Sequence, residues 1–406
     1  MKKLNIAFPI TGLPVPSVKG GAIQTGIQQI IDENEVRNKV NITVYSIYDE
    51  KAELESKKYK YTKFEFIKIN KNTIKIRRAL NKLFRLCKIN KQLIVNKEFI
   101  GELTKKVVTE NFDYIVVKNS IELVKPIKDK TKVKVALQLH NDFLNDSTYK
   151  NKTIYKLSDK LVANSFYIKN RIDTISNKVD SKFKKNIYVN KNCTDYDLFS
   201  KSIAKEVSLE LKRKYEIKNE IVIVFSGRII PEKGIKELIE ALIIMKRKNL
   251  VKFKLIIVGS KWFGNTSEDN FSNKLKKIAE EISTDIVFAG YIPYNELPKI
   301  YSISDIAVVP SIWEEPAGRV VLEAQAAGVP VIVSDAGGIS DYIDSNNAIV
   351  VKRGTDFVVN LSKEIEKLSL DDERRVFLSD EARKFSSYFT PQKYYEDIID
   401  ILEEEI

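Results

Sequence analysis

Short apolar runs recur along the whole chain, and between them lie stretches in which apolar residues return every three or four positions. Residues 4–10, 42–47, 114–117 and 133–139 are such runs, of strand length and rich in β-branched side chains, while 22–31 has helical spacing. The pattern restarts more cleanly in the second half, with strands expected at 221–226, 254–258, 285–289, 306–309 and 331–334 and helices at 232–246, 272–282, 297–302 and 319–327. Strands that are apolar throughout, alternating with helices, imply parallel sheets covered on both faces. Two sheets fit the chain. The expected class is therefore α/β, with a seam near 192–203, where polar residues follow a short strand at 186–189.

Composition narrows the class. The 406 residues are 43% hydrophobic and 30% charged, which excludes a disordered or fibrous chain. Cys87 and Cys193 form no CxxC and no cluster with histidine, so neither a disulfide framework nor a zinc site is expected. The apolar stretch after Met1-Lys2-Lys3 is too short for a signal peptide, and no run approaches the ~18 residues of a membrane span. The expectation is a cytoplasmic chain.

The net charge of +13 is unevenly spread. Residues 1–200 hold 39 Lys and Arg against 21 Asp and Glu, whereas residues 201–406 hold 29 against 34. A first domain facing an anionic surface produces such a split. Within it, residues 66–97 contain ten basic residues and no acidic one, and Ile76, Leu80, Leu83, Phe84 and Cys87 form one helical stripe flanked by Lys75, Arg78, Lys82 and Arg85. Such a helix either docks on its own domain with a solvated basic face or lies on an anionic leaflet. Nucleic acid is a weaker reading, because the aromatics are not interleaved with the charges as a stacking platform requires.

In a doubly wound sheet, ligands bind at the carboxyl ends of the strands. Three loops there suit phosphate. Gly20 and Gly21 precede a helix, where backbone N–H groups can approach an anion. After the strand at 221–226 come Arg228 and Lys233, a bidentate clamp and a point charge suited to a diphosphate, without the spacing of a P-loop. After the strand at 306–309 comes Trp313-Glu314-Glu315-Pro316-Ala317-Gly318-Arg319-Val320-Val321-Leu322-Glu323, in which Pro and Gly precede an Ala-rich helix ended by Gly328. Glu315 stands ahead of that helix and Glu323 eight residues on, with the amides near Val320 and Val321 between them. Two carboxylates bracketing a phosphate site match a nucleotide sugar, which offers sugar hydroxyls, diphosphate and ribose hydroxyls in that order.

Gly227-Arg228 with Lys233-Gly234, and Glu315-Pro316-x-Gly318 with Glu323, resemble the donor site of GT-B retaining glycosyltransferases of family 4. The resemblance extends to Gly20-Gly21, to Asn192, Asp195 and Phe199 at the seam, and to Gly337-Gly338; in its opening loop and in residues 259–264 it is nearest to bacterial spore-coat and capsule-type members. It implies two Rossmann-like domains with parallel sheets facing across a cleft: acceptor binding at 1–195, nucleotide-sugar binding at 200–385, and a C-terminal helix at 386–406 packing back on the first domain. It implies transfer of a hexose from a nucleotide diphosphate, UDP first among the carriers, to a glycan or lipid-diphosphate-linked acceptor. It further implies that the anomeric configuration is retained and that neither a metal nor any other cofactor takes part. Arg228 and Lys233 would neutralise the leaving diphosphate with the Gly21 amide. Glu315 would hold the donor sugar with the backbone of Ala317 and Gly318, Glu323 the ribose hydroxyls, and backbone near Ile292 the base.

His140, the only histidine, ends the strand at 133–139 and matches a histidine that the family places beside the donor sugar. Asp195 and Asp197 imitate a metal motif and are read as linker. Three positions depart from the family pattern: Ala317 where a larger residue is usual, Cys193 where glycine follows Asn192, and Asp341 in place of glutamate. The partners expected are the donor, the acceptor and an anionic membrane, placing the protein peripherally at the inner face in capsule or envelope polysaccharide synthesis. A nucleotide-sugar 2-epimerase of the same fold and a basic nucleic-acid-binding protein are the alternatives. The first lacks its extra acid and base groups, and the second does not explain the spaced glutamates.

Overall fold

The computed structural model describes residues 3–86, 96–259 and 270–404. The chain divides into two compact units, Met1–Lys191 with Tyr394–Ile406, and Asn192–Lys393. The first unit is built on a parallel sheet of β1 (Asn5–Pro9), β2 (Asn41–Ile47), β3 (Thr62–Ile67), β4 (Tyr114–Lys118), β5 (Lys134–Leu139), β6 (Lys160–Ala163) and β7 (Ile187–Val189), in the order β3-β2-β1-β4-β5-β6-β7. The helix Ala22–Arg37 opens directly at Gly21, whose φ of 106° is open to glycine but strained for other residues.

Two of these strands were not expected. β3 lies at the sheet edge and alternates, with Lys63 and Glu65 in an ion pair at 3.3 Å, so it lacks the continuous apolar signal of the inner strands. β6 has four residues and begins with a buried lysine. Lys160 is tolerated there because its Nζ donates to the Ile401 carbonyl at 2.6 Å and to the Glu404 carbonyl, placing a cation at the C-terminal end of the helix Pro391–Glu403. Desolvation of that ammonium still holds its pKa below the ordinary value.

The second unit has the parallel sheet β8 (Ile221–Ser226), β9 (Phe253–Val258), β10 (Ile286–Gly290), β11 (Ile306–Val309), β12 (Val331–Ser334) and β13 (Ala348–Val351), ordered β10-β9-β8-β11-β12-β13. The helix expected from residue 232 begins later. Pro231–Lys233 is a single 3₁₀ turn, Gly234 takes φ 69°, and the helix runs Ile235–Lys248. A Cβ on Gly234 would lie 1.8 Å from the Pro310 carbonyl oxygen, so this glycine serves both the left-handed turn and a backbone contact with the loop after β11. The helix expected at 272–282 is Asn270–Ile278 followed by 3₁₀ turns, with Ile282 outside helical geometry.

The division between units falls at 191/192 and 393/394, against the expected 195 and 386. Residues 192–200 group with the second unit because the Thr194 N–H donates to the Phe389 carbonyl at 2.9 Å and Phe199 packs edge-on against Tyr294, 5.2 Å between centroids. From Tyr394 onward the chain is fixed in the first unit: Lys118 Nζ donates to Tyr394 Oη at 2.8 Å, and Tyr395 Oη donates to Asn34 Oδ1 at 2.8 Å.

The basic stripe lies on the helix Lys71–Leu86, where Ile76, Leu80 and Leu83 are exposed. The side chains of Arg78, Lys82, Phe84 and Arg85, and Cys87, lie outside the described residues, as does most of the block 259–264. Among the described residues no helix is long and apolar enough to cross a membrane.

Candidate functional site

In the second sheet the strand order reverses between β8 and β11, which lie side by side. Loops leaving the carboxyl ends at such a point form a crevice. Arg228 and Lys233 follow β8, and Glu315 follows β11. The two loops are tied by the Ile312 N–H, which donates to the Glu232 carbonyl at 3.0 Å.

Glu315 is the fixed point of this site. It is 5% exposed, and its Oε1 accepts from Lys233 Nζ at 2.6 Å, Ser311 Oγ at 2.6 Å and Trp313 Nε1 at 3.0 Å. The backbone that carries it is equally constrained. Gly338 N–H donates to the Glu315 carbonyl at 2.6 Å, and a Cβ on Gly337 would fall 2.4 Å from that same oxygen. Ser334 Oγ donates to the Ser311 carbonyl at 2.6 Å, and Arg353 joins Glu314 at 2.7 Å to Asp335 at 3.0 Å. Such support holds a carboxylate in one position before any ligand arrives.

Gly318 precedes the helix Arg319–Ala326, and no side chain caps its first turn, so the backbone N–H groups around Val320 and Val321 are open to an anion. Gly318 also packs closely, since a Cβ there would lie 3.2 Å from Tyr342 Cβ. Ala317 is half-buried ahead of it. Inside the helix Glu323 is 6% exposed, with Arg319 Nε at 3.6 Å from Oε1. Burial pushes its carboxyl up to about 7, with the Arg319 charge pulling the other way. Arg319 in turn lies 5.4 Å from the centre of the Tyr294 ring. Ile292, two residues beyond β10, is half-buried against the same apolar cluster as Tyr294.

The structure thus joins Lys233 to Glu315 and Arg319 to Glu323, whereas Arg228 is half-buried and has no carboxylate partner among the described residues. Sequence reasoning missed Ser311, Trp313, Arg319 and Tyr294. Trp313 stood inside the motif, and its indole N–H marked it as a donor in search of an acceptor. Ser311 gave no signal.

Gly20, Gly21 and His140 belong to the first unit. Gly20 and Gly21 have φ 70° and 106°, and the Thr25 N–H donates to the Gly21 carbonyl at 2.8 Å as the helix begins. His140 is half-buried just after β5; its backbone N–H donates to Asn119 Oδ1 at 2.6 Å, and its carbonyl accepts from Asn164 Nδ2 at 3.4 Å. Asp195 caps the helix Tyr196–Ser200 by accepting from the Leu198 N–H at 3.0 Å. Among the described residues no group of three or more His, Cys, Asp or Glu side chains is placed to hold a metal ion.

Residues 207–385, which contain the whole constellation after β8 and β11, match the family model of glycosyl transferases group 1. This segment belongs to the group 1 glycosyl transferases. The whole chain is 25% identical over 393 residues to a putative glycosyltransferase, YtcC, of Bacillus subtilis, covering 94% of this chain and 87% of the relative. It is also 25% identical over 398 residues to spore coat protein SA of the same organism, covering 96% and 97%. Its fold is that of GT-B glycosyltransferases. The Anabaena protein Alr3699/HepE, solved in complex with UDP-glucose, superposes with a TM-score of 0.72 at 18% identity, covering 98% of this chain and 99% of that one.

Proposed function

We propose that this glycosyl transferase moves a hexose from a nucleotide-diphosphate donor to a glycan or lipid-diphosphate-linked acceptor, with retention of configuration, in envelope or capsule polysaccharide synthesis. The observation that carries the donor assignment is the Lys233–Glu315 pair at the sheet's switch point, with Arg228 in the same loop as Lys233 and Glu323 in the helix that follows Glu315. Lys233 and Arg228 stabilise the charge that develops on the departing diphosphate. The amides near Val320 and Val321 add a helix N-terminus to the same anion. Glu315, with the backbone of Ala317 and Gly318, accepts hydrogen bonds from the donor sugar; Glu323 accepts them from ribose; the backbone at Ile292 meets the base. UDP is the first carrier to test, because the neighbour in fold was solved with UDP-glucose.

The first unit takes the acceptor, and Gly20, Gly21 and His140 serve the same turnover. As the bond to the leaving diphosphate breaks, the acceptor hydroxyl attacks from the face that the diphosphate leaves, which preserves the anomeric configuration. The basic helix Lys71–Leu86, with exposed Ile76, Leu80 and Leu83, supports an anionic membrane as the place where the acceptor is met.

A screen of UDP-, GDP- and ADP-sugars by thermal shift and by release of free nucleotide tests this reading. It expects at least one nucleotide sugar to raise the melting temperature and to be turned over. Stabilisation by none of them contradicts it.

A further inference from the structure

The strand order of the first sheet also reverses once, between β1 and β4. At the carboxyl ends of these two strands lies a cavity of about 490 Å³, lined only by first-unit residues. That is the size of a small-molecule site, and it lies at the point in a doubly wound sheet where ligands are bound.

The wall is chemically mixed. Asn141 offers an amide that both donates and accepts, Thr11 and Ser120 a pair of hydroxyls bonded to each other, Asn119 an amide whose oxygen already accepts from the His140 N–H, Lys118 an ammonium and Glu122 a carboxylate. The ammonium is held in place by Tyr394 Oη at 2.8 Å and lies 5.0 Å from the centre of that ring. Glu122 Oε1 accepts from Asn96 Nδ2 at 3.0 Å. A phosphate or carboxylate ligand uses donors only, and Glu122 repels it. Sugar hydroxyls, each donor and acceptor, match such a wall.

The remaining feature is aromatic. Phe143 lines the cavity and is 49% exposed. Its loop is hydrogen-bonded throughout: the Phe143 N–H donates to the Asn141 carbonyl at 2.8 Å, Thr148 Oγ1 to the Phe143 carbonyl at 3.0 Å, and Asn145 Nδ2 to Asp142 Oδ1 at 2.8 Å. Arg171 anchors Asp142 from the neighbouring helix at 2.8 Å. A large apolar ring presented to solvent on a pre-organised loop gains by covering the apolar C–H face of a ligand at little cost in ordering.

We infer that this cavity seats an uncharged pyranose unit of the acceptor glycan, with one face on Phe143 and its hydroxyls on Asn119, Asn141, Ser120 and Lys118. The inference rests on the reading that the first unit takes the acceptor, and it names the acceptor's chemistry. A lipid diphosphate further along the acceptor is compatible with it, but the group read in the cavity is a sugar.

The test is saturation-transfer NMR on the full chain with methyl pyranosides of glucose, galactose, mannose and N-acetylglucosamine, and with inorganic diphosphate as an anionic competitor. At least one methyl pyranoside receives saturation, diphosphate does not displace it, and the signal persists in Glu315→Gln. Phe143→Ala weakens its binding about tenfold while the melting temperature without ligand is unchanged. The inference is overturned if no pyranoside binds, if binding is lost in Glu315→Gln but kept in Phe143→Ala, or if diphosphate displaces the sugar. Nucleotide thermal shifts run on the same samples separate the two readings. Shifts without pyranoside binding overturn only the sugar cavity, whereas absent shifts overturn the donor site.

Discussion

Lys233 Nζ lies 2.6 Å from Glu315 Oε1, so the cation assigned to the donor's diphosphate and the carboxylate assigned to its sugar are bonded to each other. The pair is largely buried, and Ser311 and Trp313 share the same carboxylate oxygen. A diphosphate entering this site competes with Glu315 for the ammonium.

Glu315→Gln removes the competing charge and keeps the shape. Sugar-free UDP should bind more tightly to this variant than to the wild type, and turnover of the intact donor should fall by roughly two orders of magnitude, the usual cost of one electrostatic contact in a transition state. Calorimetric titration and steady-state kinetics read the two effects. Weaker UDP binding with unchanged turnover would show that Glu315 only scaffolds the loop.

Glu323 introduces a pH dependence. Its carboxyl, ordinarily at 4.5, is raised to about 7 by burial. The folded chain therefore binds this proton more readily than the unfolded chain. Stability from this group falls as pH rises from about 4.5 to about 7, and its cost is fully present above that. Ribose hydroxyls need the ionised acceptor, so nucleotide affinity should rise over the upper part of the same window. In Glu323→Gln that rise should be absent once the nucleotide's own titration is subtracted using a phosphate-only ligand. An identical pH profile in wild type and variant would refute the ribose role.

Gly234→Ala tests the coupling of the two loops. The substitution forces a Cβ into the Pro310 carbonyl and strains a left-handed residue, and should lower stability by about 3 kcal/mol or more. Chemical denaturation of both proteins measures it. A change below about 0.5 kcal/mol, typical of an unconstrained surface position, would mean that the contact is relaxed at no cost.

The basic helix should hold the chain on phosphatidylglycerol vesicles at low salt and release it at high salt, because each Lys or Arg near an anionic surface contributes about 1 kcal/mol. Changing Arg77, Arg78, Lys82 and Arg85 together to Glu should abolish sedimentation with the vesicles. Equal binding of both proteins, or of neither, would leave the exposed Ile76, Leu80 and Leu83 without a lipid role.

The two sheets were legible because their inner strands are unbroken apolar runs: β8, β11 and β12 lie where the pattern put them. β3, β6 and β13 were not: β3 and β13 are edge strands, the first alternating polar with apolar residues, and β6 opens on a lysine that leaves only three apolar residues in a row. In the site, spacing alone marked Glu315 and Glu323; of their partners Ser311, Trp313 and Arg319 are local in sequence, and Lys233 is brought in by tertiary packing. No local pattern foretells that Lys233 is directed onto Glu315 at the end of a 3₁₀ turn, or that Tyr294 lies over Arg319, whereas the Arg319–Glu323 pair has the i,i+4 spacing of one helix face. The division at 191/192 was displaced for a similar reason: Phe199 reads as linker in sequence and is buried in the core of the second unit.

Calorimetric titration in excess EDTA measures whether side chains and helix amides bind a nucleoside diphosphate without a metal. The titration should show UDP or another nucleoside diphosphate binding the wild type in EDTA with undiminished affinity. The Arg228→Ala/Lys233→Ala double variant, still folded by circular dichroism, should lose at least about 2.7 kcal/mol of that binding, near a hundredfold in Kd. Binding that requires added magnesium or manganese, or that is equal in the wild type and the double variant, would contradict the account.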